Sequence, residues 1–400
     1  MTGGVAIVGG GPAGLVMAIA LARRGMRTTV FERDQHPAVA PRFNPDRSYT
    51  IDITGHGLRA LRYIDATTYF DSRMLRFLGI QHQGRVIDEW SDPGWTGSRG
   101  DILRALMDVI EARHEEYVDF QFECRVRGTE VHSGTLTVAA ADDEASTRQF
   151  NLIIGADGAG SVVRPAMQEQ VAGFTVETAS IPNYVTMIEL DRVGDKLDKH
   201  YLQALSVRHF NVAGAVNGDE GPESPRWFCC VGSKMELALS SGDAARDYFR
   251  KTCPVILDLT SDQEIAAFVQ RRSNHIGQSA TCSQLHGGKA VLLGDAAAPF
   301  PPIGQGVNAA MESATVLDRC IGEGGVNLSG AAANYTAASK PESDAVTWIA
   351  QRVLFEEPLN MLRSVVTTVL GLNVVGHAKS AELAYSEVQR RARRLGPVWA

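Results

Sequence analysis

The residues whose types and spacing speak most directly of chemistry are Gly9-x-Gly11-x-x-Gly14 and, further along, Glu32. The apolar run Val5-Ala-Ile-Val8 leads into the glycines. Pro12 and Ala13 then open an Ala/Leu-rich helical pattern that ends near Arg23-Arg24-Gly25, and a second apolar run ends on Glu32-Arg33. This spacing predicts a strand–helix–strand unit in which the glycines have separate tasks. Gly9 allows the tight turn, Gly11 the close approach of a pyrophosphate, and Gly14 the packing of helix on strand. Helix-start amides and the positive end of the dipole would then face the anion. A carboxylate at Glu32 can accept hydrogen bonds from ribose hydroxyls and would repel a 2′-phosphate, so the dinucleotide reads as FAD or NAD and not NADP.

Two later stretches have the same character. Phe150 to Arg164 is a buried-strand pattern that delivers Asp157-Gly158 to a carboxyl end, where open α/β sheets place ligands. Its Gly155 and Gly160 fall at the outer positions of the dinucleotide spacing, but Asp157 holds the middle one, so it is not a second fingerprint. Gly288 to Asn308 runs from a strand into Gly294-Asp295, a Pro-stiffened loop, and Gly304-Gln305-Gly306 at the mouth of a helix expected to begin near Asn308. Again helix-start amides are aimed at an electron-rich ligand.

The chain around these motifs has 400 residues, enough for two structural units or one large domain with an insertion. With 44% hydrophobic and 21% charged residues and a net charge of −7, it fits a globular enzyme of small-molecule chemistry rather than a nucleic-acid binder. The six cysteines form no C-x-x-C pair or Cys/His zinc spacing and read as thiols of a reducing compartment. A first strand within a few residues of Met1 points away from secretion, so the expected location is the cytoplasm. The apolar stretch Val365–Val375 is too short to span a bilayer and reads as a buried or interface helix.

Residues 34–46 read as a loop and Arg47–Ile53 as an alternating strand, with a helix capped at Thr54. Gln83–Ile87 reads as strand, Ser91–Trp95 as a turn cluster, and Ser98 as the start of a helix to about Arg113. Phe120–Val126 and Leu136–Ala139 read as strands. From about Phe174 to Ser283 the texture is amphipathic strand with two polar-faced helices, a separate sheet layer suited to shaping a substrate pocket. The last 60 residues read as helices.

The three motifs in this order, the third continued by Pro302-x-Gly304, resemble the group A FAD-dependent aromatic hydroxylases over most of the first 340 residues. Within that group the chain is similar to kynurenine 3-monooxygenases. The shared features are Arg47-Ser48, Gly79-Ile80 with Arg85-Val86-Ile87, Ser98-Arg99, Gly304 to Asn308, and Tyr335-x4-Lys340-Pro341-x2-Asp344-Ala345. The resemblance implies an α/β fold with a Rossmann-like FAD-binding domain split in sequence over 1–71, 98–173 and 284–340. It also implies an inserted mixed β-sheet for substrate (72–97 and 174–283) and a C-terminal helical region (341–400). It assigns Asp295 to the ribityl chain, Arg99 to the FAD phosphates, Val126 to the adenine end through its backbone, and Gly306, Val307 and Asn308 to the isoalloxazine edge. Arg85 matches the arginine that grips the substrate carboxylate. Two positions depart from that pattern, Ala298 standing for a histidine and Val353 for a substrate-side asparagine, with Trp90 or Trp95 near the place of a pocket tyrosine.

The reaction so implied is hydroxylation of an electron-rich aromatic, an aromatic acid or tryptophan-derived compound. It would proceed through a flavin hydroperoxide, with O2 and either NADH or NADPH. No nucleophile or metal is needed. The histidines His56, His82, His209 and His275 read as structural or surface groups, and Arg85 can equally be an arginine on an exposed strand face. A reductase or halogenase of the same fold, or a flavoprotein that only binds its ligand, are the competing readings. The chain lacks the Trp-x-Trp-x-Ile-Pro run of halogenases.

Overall fold

The computed structural model describes residues 4–46, 48–140, 145–206, 209–325, 327–352, 374–380 and 382–394. Arg47, Val353 and nearly all of the apolar Val365–Val375 stretch lie outside them.

The four-residue strand Val5–Val8 is buried throughout and sits at the centre of a six-stranded sheet. Thr28–Phe31 and then Val118–Gln121 lie parallel on one side of it, and Leu152–Gly155 and Ala290–Leu292 on the other, with His286–Gly287 as an antiparallel edge. The neighbours of Val5–Val8 thus come from either side of a long excursion of the chain, which is what splitting the domain in sequence means in the structure. Helix Pro12–Arg23 buries every residue from Ala13 to Ala22, because it is sandwiched between this sheet and helix Gly306–Gly324. A helix apolar all round belongs in such a place.

The second large sheet has eight strands, in the order Asn274–His275, Tyr184–Glu189, Gly221–Ser233, Asn211–Gly218, Tyr201–Ser206, Leu75–His82, Arg85–Gly97 and Ile51–Ile53. It is mixed, since Tyr201–Ser206 runs parallel to Leu75–His82 while the other pairs are antiparallel. Helices Gly242–Thr252, Val255–Leu259 and Asp262–Phe268 cover one of its faces through Phe249, Ile256, Ile265 and Phe268. A three-stranded antiparallel meander, Cys124–Glu130, Thr135–Ala140 and Ser146–Gln149, stands at the tip of strand Thr28–Phe31.

Several local expectations are corrected. Only Ile51–Ile53 of the segment before Thr54 is strand, and all three residues are buried, so it is an edge of the second sheet rather than a half-exposed alternating strand. Gln83 and Gly84, with φ of 49° and 74°, are the two-residue turn of a hairpin instead of part of a strand. Ser91–Trp95 lies inside strand Arg85–Gly97 as an irregular stretch of its pairing. Glu123, at φ 54°, breaks Phe120–Val126 into two strands. The helix expected near Asn308 begins at Gly306.

The loop at residues 34–46 straps the two sheets together. Arg42 donates from Nε to Asp101 (2.8 Å) and from its terminal nitrogens to the carbonyls of Asn217 (2.7 Å) and Gly218 (3.0 Å). Described C-terminal helices close the other side: Tyr335 in helix Leu328–Arg352 donates its buried hydroxyl to the Leu292 carbonyl (3.0 Å).

The tightest point of the first sheet gives a prediction. A Cβ on Gly14 would lie 2.0 Å from the Gly9 carbonyl oxygen. Gly14→Ala should lower unfolding stability by about 1–3 kcal/mol through overpacking and weaken flavin retention with it. Denaturant titration and the flavin-to-protein absorbance ratio are the two measurements.

Candidate active site

Gly9, at φ 104°, turns the chain so closely against the second motif that a Cβ there would be 2.5 Å from the Ala156 carbonyl. Gly11 differs: a Cβ on it would meet nothing nearer than the Arg99 guanidinium at 3.7 Å. Gly11 is also the N-cap of helix Pro12–Arg23 and offers no capping side chain, while Pro12 has no N–H to satisfy. The first turn with Ala13 therefore faces an open approach beside a cation. Arg99 itself is exposed and begins helix Arg99–Arg113, whose Ser98–Asp101 capping box fixes its direction.

Glu32 accepts the Gly10 N–H (2.7 Å) on one carboxylate oxygen and the Asp34 N–H (2.9 Å) on the other. It thus clamps the glycine turn while standing at the strand tip where a ribose would reach it. Arg33 points to solvent and pairs only loosely with Asp34, at 4.0 Å. Buried Val126 belongs to the strand whose first residue, Cys124, donates its N–H to the Glu32 carbonyl (2.9 Å), which sets the meander beside the acid.

The second and third motifs join at Arg164. Its guanidinium donates to the carbonyls of Ala159 (2.6 Å), Asp295 (3.2 Å) and Ala296 (2.8 Å). Asp157 accepts the Val162 N–H (2.6 Å) on Oδ2, while its buried Oδ1 has no partner, and burial raises its carboxyl above the usual range. Burial likewise raises Asp295, opposed by the positive charges of Arg99 and Arg164. Arg99 is thus near both Gly11 and Asp295, and Gly9 against Ala156–Asp157 and Gly294 near Ala13 bring all three motifs together. Tyr49 lies near the same groups: its phenol is raised by burial and by the nearness of Cys230 and Asp295, and lowered by Arg99.

Helix Gly306–Gly324 starts on Gly306, where an added Cβ would meet nothing within 4 Å. Val307 is half-buried beside it. The Asn308 side chain is 1% exposed and wholly engaged: Oδ1 accepts the Thr54 N–H (3.0 Å), and Nδ2 donates to the carbonyls of Asp52 (2.9 Å) and Gly304 (3.1 Å). Only the backbone of Asn308 is left for a ligand. Gln305 is held by Thr54 and by the Tyr385 hydroxyl (3.0 Å), and Tyr385 stacks on His56 at 4.0 Å. A cavity of about 130 Å³, walled by His56, Glu312, Glu342 and Tyr385, opens on Asp295 and Gly306.

These observations fit a bound dinucleotide. Open glycines at 11 and 306, two helix starts, a carboxylate at the strand tip and an arginine beside the glycine turn are the features such a ligand needs. Among the described residues no group of three or more His, Cys, Asp and Glu is placed to hold a metal, and no helix is long and apolar enough to cross a membrane.

Arg85 stands on the second large sheet, beside the Gln83–Gly84 turn. It is exposed and follows the hairpin turn directly, paired with His82. Asp88 pairs with Ile80 and Val86 with Gln81, so the strand bulges at Ile87 and Arg85 comes to share a face with Asp88. Sequence reasoning missed Asp52 and Lys379, which this face approaches. Asp52 is 7% exposed and raised by burial, opposed by Lys379 and by a hydrogen bond to Thr96. Lys379 is 5% exposed and lowered by burial, opposed by Asp52 and Asp88, with Nζ 5.7 Å from the centre of the Trp90 ring. Trp95 is occupied elsewhere, donating to Asp71 (2.9 Å). The one signal for Asp52 was a charged residue between two isoleucines, and an alternating strand explains that equally well.

Comparison with known proteins agrees with this geometry. The family model described as "FAD binding domain" matches residues 3–333. A kynurenine 3-monooxygenase of Salinispora arenicola is 29% identical over 366 residues, covering 86% of this chain and 77% of that protein. One from Stenotrophomonas maltophilia is 28% identical over 368 residues, with the same shares. Among solved structures, the tetrameric form of 2-methyl-3-hydroxypyridine-5-carboxylic acid oxygenase superposes with TM-score 0.67 at 18% identity, over 98% of this chain and 96% of that one. Pseudomonas aeruginosa PqsL in complex with 2-aminobenzoylacetate superposes with TM-score 0.65 at 19% identity, over 89% and 97%. At these identities the structures speak for the fold.

Two predictions follow from the cleft. Glu32→Ala removes the clamp on Gly10 and a charge-assisted acceptor worth about 1.5–3 kcal/mol per bond. FAD should wash out on gel filtration, with Glu32→Gln intermediate. Asp295 has a folded-state affinity for its proton above the unfolded value, so its contribution to stability is present below the ordinary carboxylate pKa and lost as pH rises. Flavin-free Asp295→Asn should therefore melt no lower than wild type at neutral pH, with the difference vanishing in acid, while its affinity for FAD falls. Scanning calorimetry across pH decides the first part and FAD titration the second.

Proposed function

The chain belongs to the FAD-binding-domain family, as an FAD-dependent NAD(P)H monooxygenase of the aromatic-hydroxylase group, and from that premise we propose that it hydroxylates an aromatic acid of tryptophan-derived type. When bound, FAD supplies reduction by NADH or NADPH and activation of O2. The residues of this chain bind it, orient it and shape the substrate's place.

Gly9, Gly11, Pro12, Ala13 and Gly14 would cradle the pyrophosphate, with Arg99 as counter-charge and Glu32 on the ribose, Arg33 standing beside it. Val126 would meet the adenine end through its backbone. Asp157 would hold the second loop in register, and Asp295 would take the ribityl hydroxyls. The amides of Gly306, Val307 and Asn308 would face the electron-rich edge of the ring system, where a helix dipole contributes about 0.3–2 kcal/mol to stabilising negative charge.

What supports the reading is the convergence of three separate helix or loop starts, joined to a second sheet through Arg42 and Asn308. That arrangement suits a long cofactor lying beneath an enclosed substrate, and enclosure is what hydroxylation needs, since water competes for the activated oxygen. Names borne by the relatives favour a tryptophan-derived acid, and Arg85, on the strand face it shares with Asp88, would supply a cation for its carboxylate. A screen for aromatic acids that stimulate NAD(P)H oxidation with matching oxygen uptake and a hydroxylated product tests this. Stimulation by none of them would turn the reading toward a ligand-binding flavoprotein.

Arg85→Met should lower kcat/KM for a carboxylate-bearing substrate by about tenfold or more and leave FAD content unchanged. An amide of the same substrate should hardly distinguish the two enzymes. Steady-state kinetics with the acid and the amide give the comparison.

A further inference from the structure

We propose that Asp52, Lys379 and Trp90 form a buried recognition site, distinct from the exposed Arg85, for an aromatic ring that carries both a hydrogen-bond donor and an adjacent acceptor. Asp52 takes the amino or hydroxyl donor, and Lys379 with Trp90 takes the carbonyl or carboxylate. The inference rests on the hydroxylase reading and narrows its substrate class.

Two buried polar atoms in this small region lack a hydrogen-bond partner, and a buried lysine beside them makes no ion pair among the described residues. Asp52 Oδ1 and Trp90 Nε1 are buried without a hydrogen-bond partner. Lys379, 5% exposed, reaches no described carboxylate within 4.0 Å, although Asp52 and Asp88 lie near enough for their charges to act on it. Buried charges are kept out of water only at large cost unless paired, so an acid and a base that sit close but unjoined leave room in the energetics for a group that joins them. The complementarity is specific. In their charged forms, which each favours in the other against burial, Lys379 can only donate and Asp52 can only accept, and indole can only donate. The missing piece must donate on one side and accept on the other.

Position supports the same conclusion. The Asp52 carbonyl accepts from Asn308 Nδ2 (2.9 Å), which ties Asp52 to the start of helix Gly306–Gly324. Lys379 leans on the loop before that helix, where a Cβ on Gly304 would stand 3.3 Å from Nζ. Trp90 presents its face to the ammonium at 5.7 Å, a contact that a bound anion can replace. A ring held here lies against the end of the cleft assigned to the isoalloxazine. An ionised Asp52 drawing on a ring N–H or O–H also pushes electron density into the ring, which is the property electrophilic hydroxylation requires.

Calorimetric titration of the oxidised holoenzyme with 2-aminobenzoate, benzoate and aniline as probes tests the assignment without turnover. Wild type should bind 2-aminobenzoate more tightly than benzoate, which lacks the donor, and more tightly than aniline, which lacks the acceptor. Lys379→Met should weaken both carboxylates by about thirtyfold or more and change aniline little. Asp52→Asn should erase the preference for 2-aminobenzoate over benzoate. Should Lys379→Met lose its flavin, Lys379→Gln carries the same expectation. The proposal is overturned if the variants weaken all three probes alike, which is the mark of a structural role, if Lys379→Met binds benzoate as wild type does, or if wild type binds none of the probes or does not rank them. Failure of the hydroxylase reading shows separately, as wild type that ranks the probes as expected while no aromatic acid stimulates its NAD(P)H oxidation.

Discussion

The rest of the structure is indexed from one close approach, that of Gly14 to the Gly9 carbonyl, which has room for a hydrogen and no more. It sets helix Pro12–Arg23 flat on the strand before it and fixes where that helix begins. The Gly9 turn then presses on the Ala156–Asp157 backbone, and Gly294 comes to rest against Ala310, with Ala13 close by. Three loops from distant parts of the chain thus take their positions from contacts in which glycine or alanine is the largest residue tolerated. The polar bonds, Arg164 across two loops and Glu32 around the first, hold what the packing has placed.

The motifs were legible because each is local. A strand, a glycine turn and a helix start within a dozen or so residues announce themselves by spacing, and the acid that follows sits at the next strand's tip for the same reason. Asp52, Trp90 and Lys379 were not legible as a set. They come from an edge strand, an irregular strand and a C-terminal helix, and nothing in the residues around Lys379 distinguishes it from a solvated lysine. The Ile87 bulge is equally hidden, although it alone decides which face Arg85 shares. Register across strands is a property of the pairing and not of either strand. The second sheet's general location was readable from its strand-rich texture, but its eighth strand, Ile51–Ile53, comes from within the first domain's sequence.

That borrowed strand has a mechanical consequence. Asn308 stitches it to the start of helix Gly306–Gly324, and Arg42 stitches the preceding loop to both Asp101 and the Asn211–Gly218 strand. The two sheets are therefore joined through hydrogen bonds on the loop and strand between residues 34 and 54, and not merely by apolar contact. A substrate lying between them would be positioned by elements already fixed relative to the cofactor cradle. Such preorganisation matters where a ring must be held to a fraction of an ångström over a reactive atom.

The cleft's carboxylates show the other side of that arrangement. Asp52, Asp157 and Asp295 are all raised by burial. A group whose proton affinity rises on folding withdraws stability as pH climbs past its unfolded pKa, so three such groups oppose folding at neutral pH. Their compensations differ in kind. Asp157 is offset by backbone N–H groups and by Ser161 within its own loop, as a structural acid would be. Asp295 and Asp52 are offset chiefly by charges across space, Arg99 and Arg164 for the one and Lys379 for the other, with no salt bridge made to either carboxylate among the described residues. Carboxylates that are surrounded by positive charge yet unpaired are best stabilised by ligands that bring hydroxyl or amino hydrogens. The sites where the chain gives up stability are thus the sites where cofactor and substrate can return it.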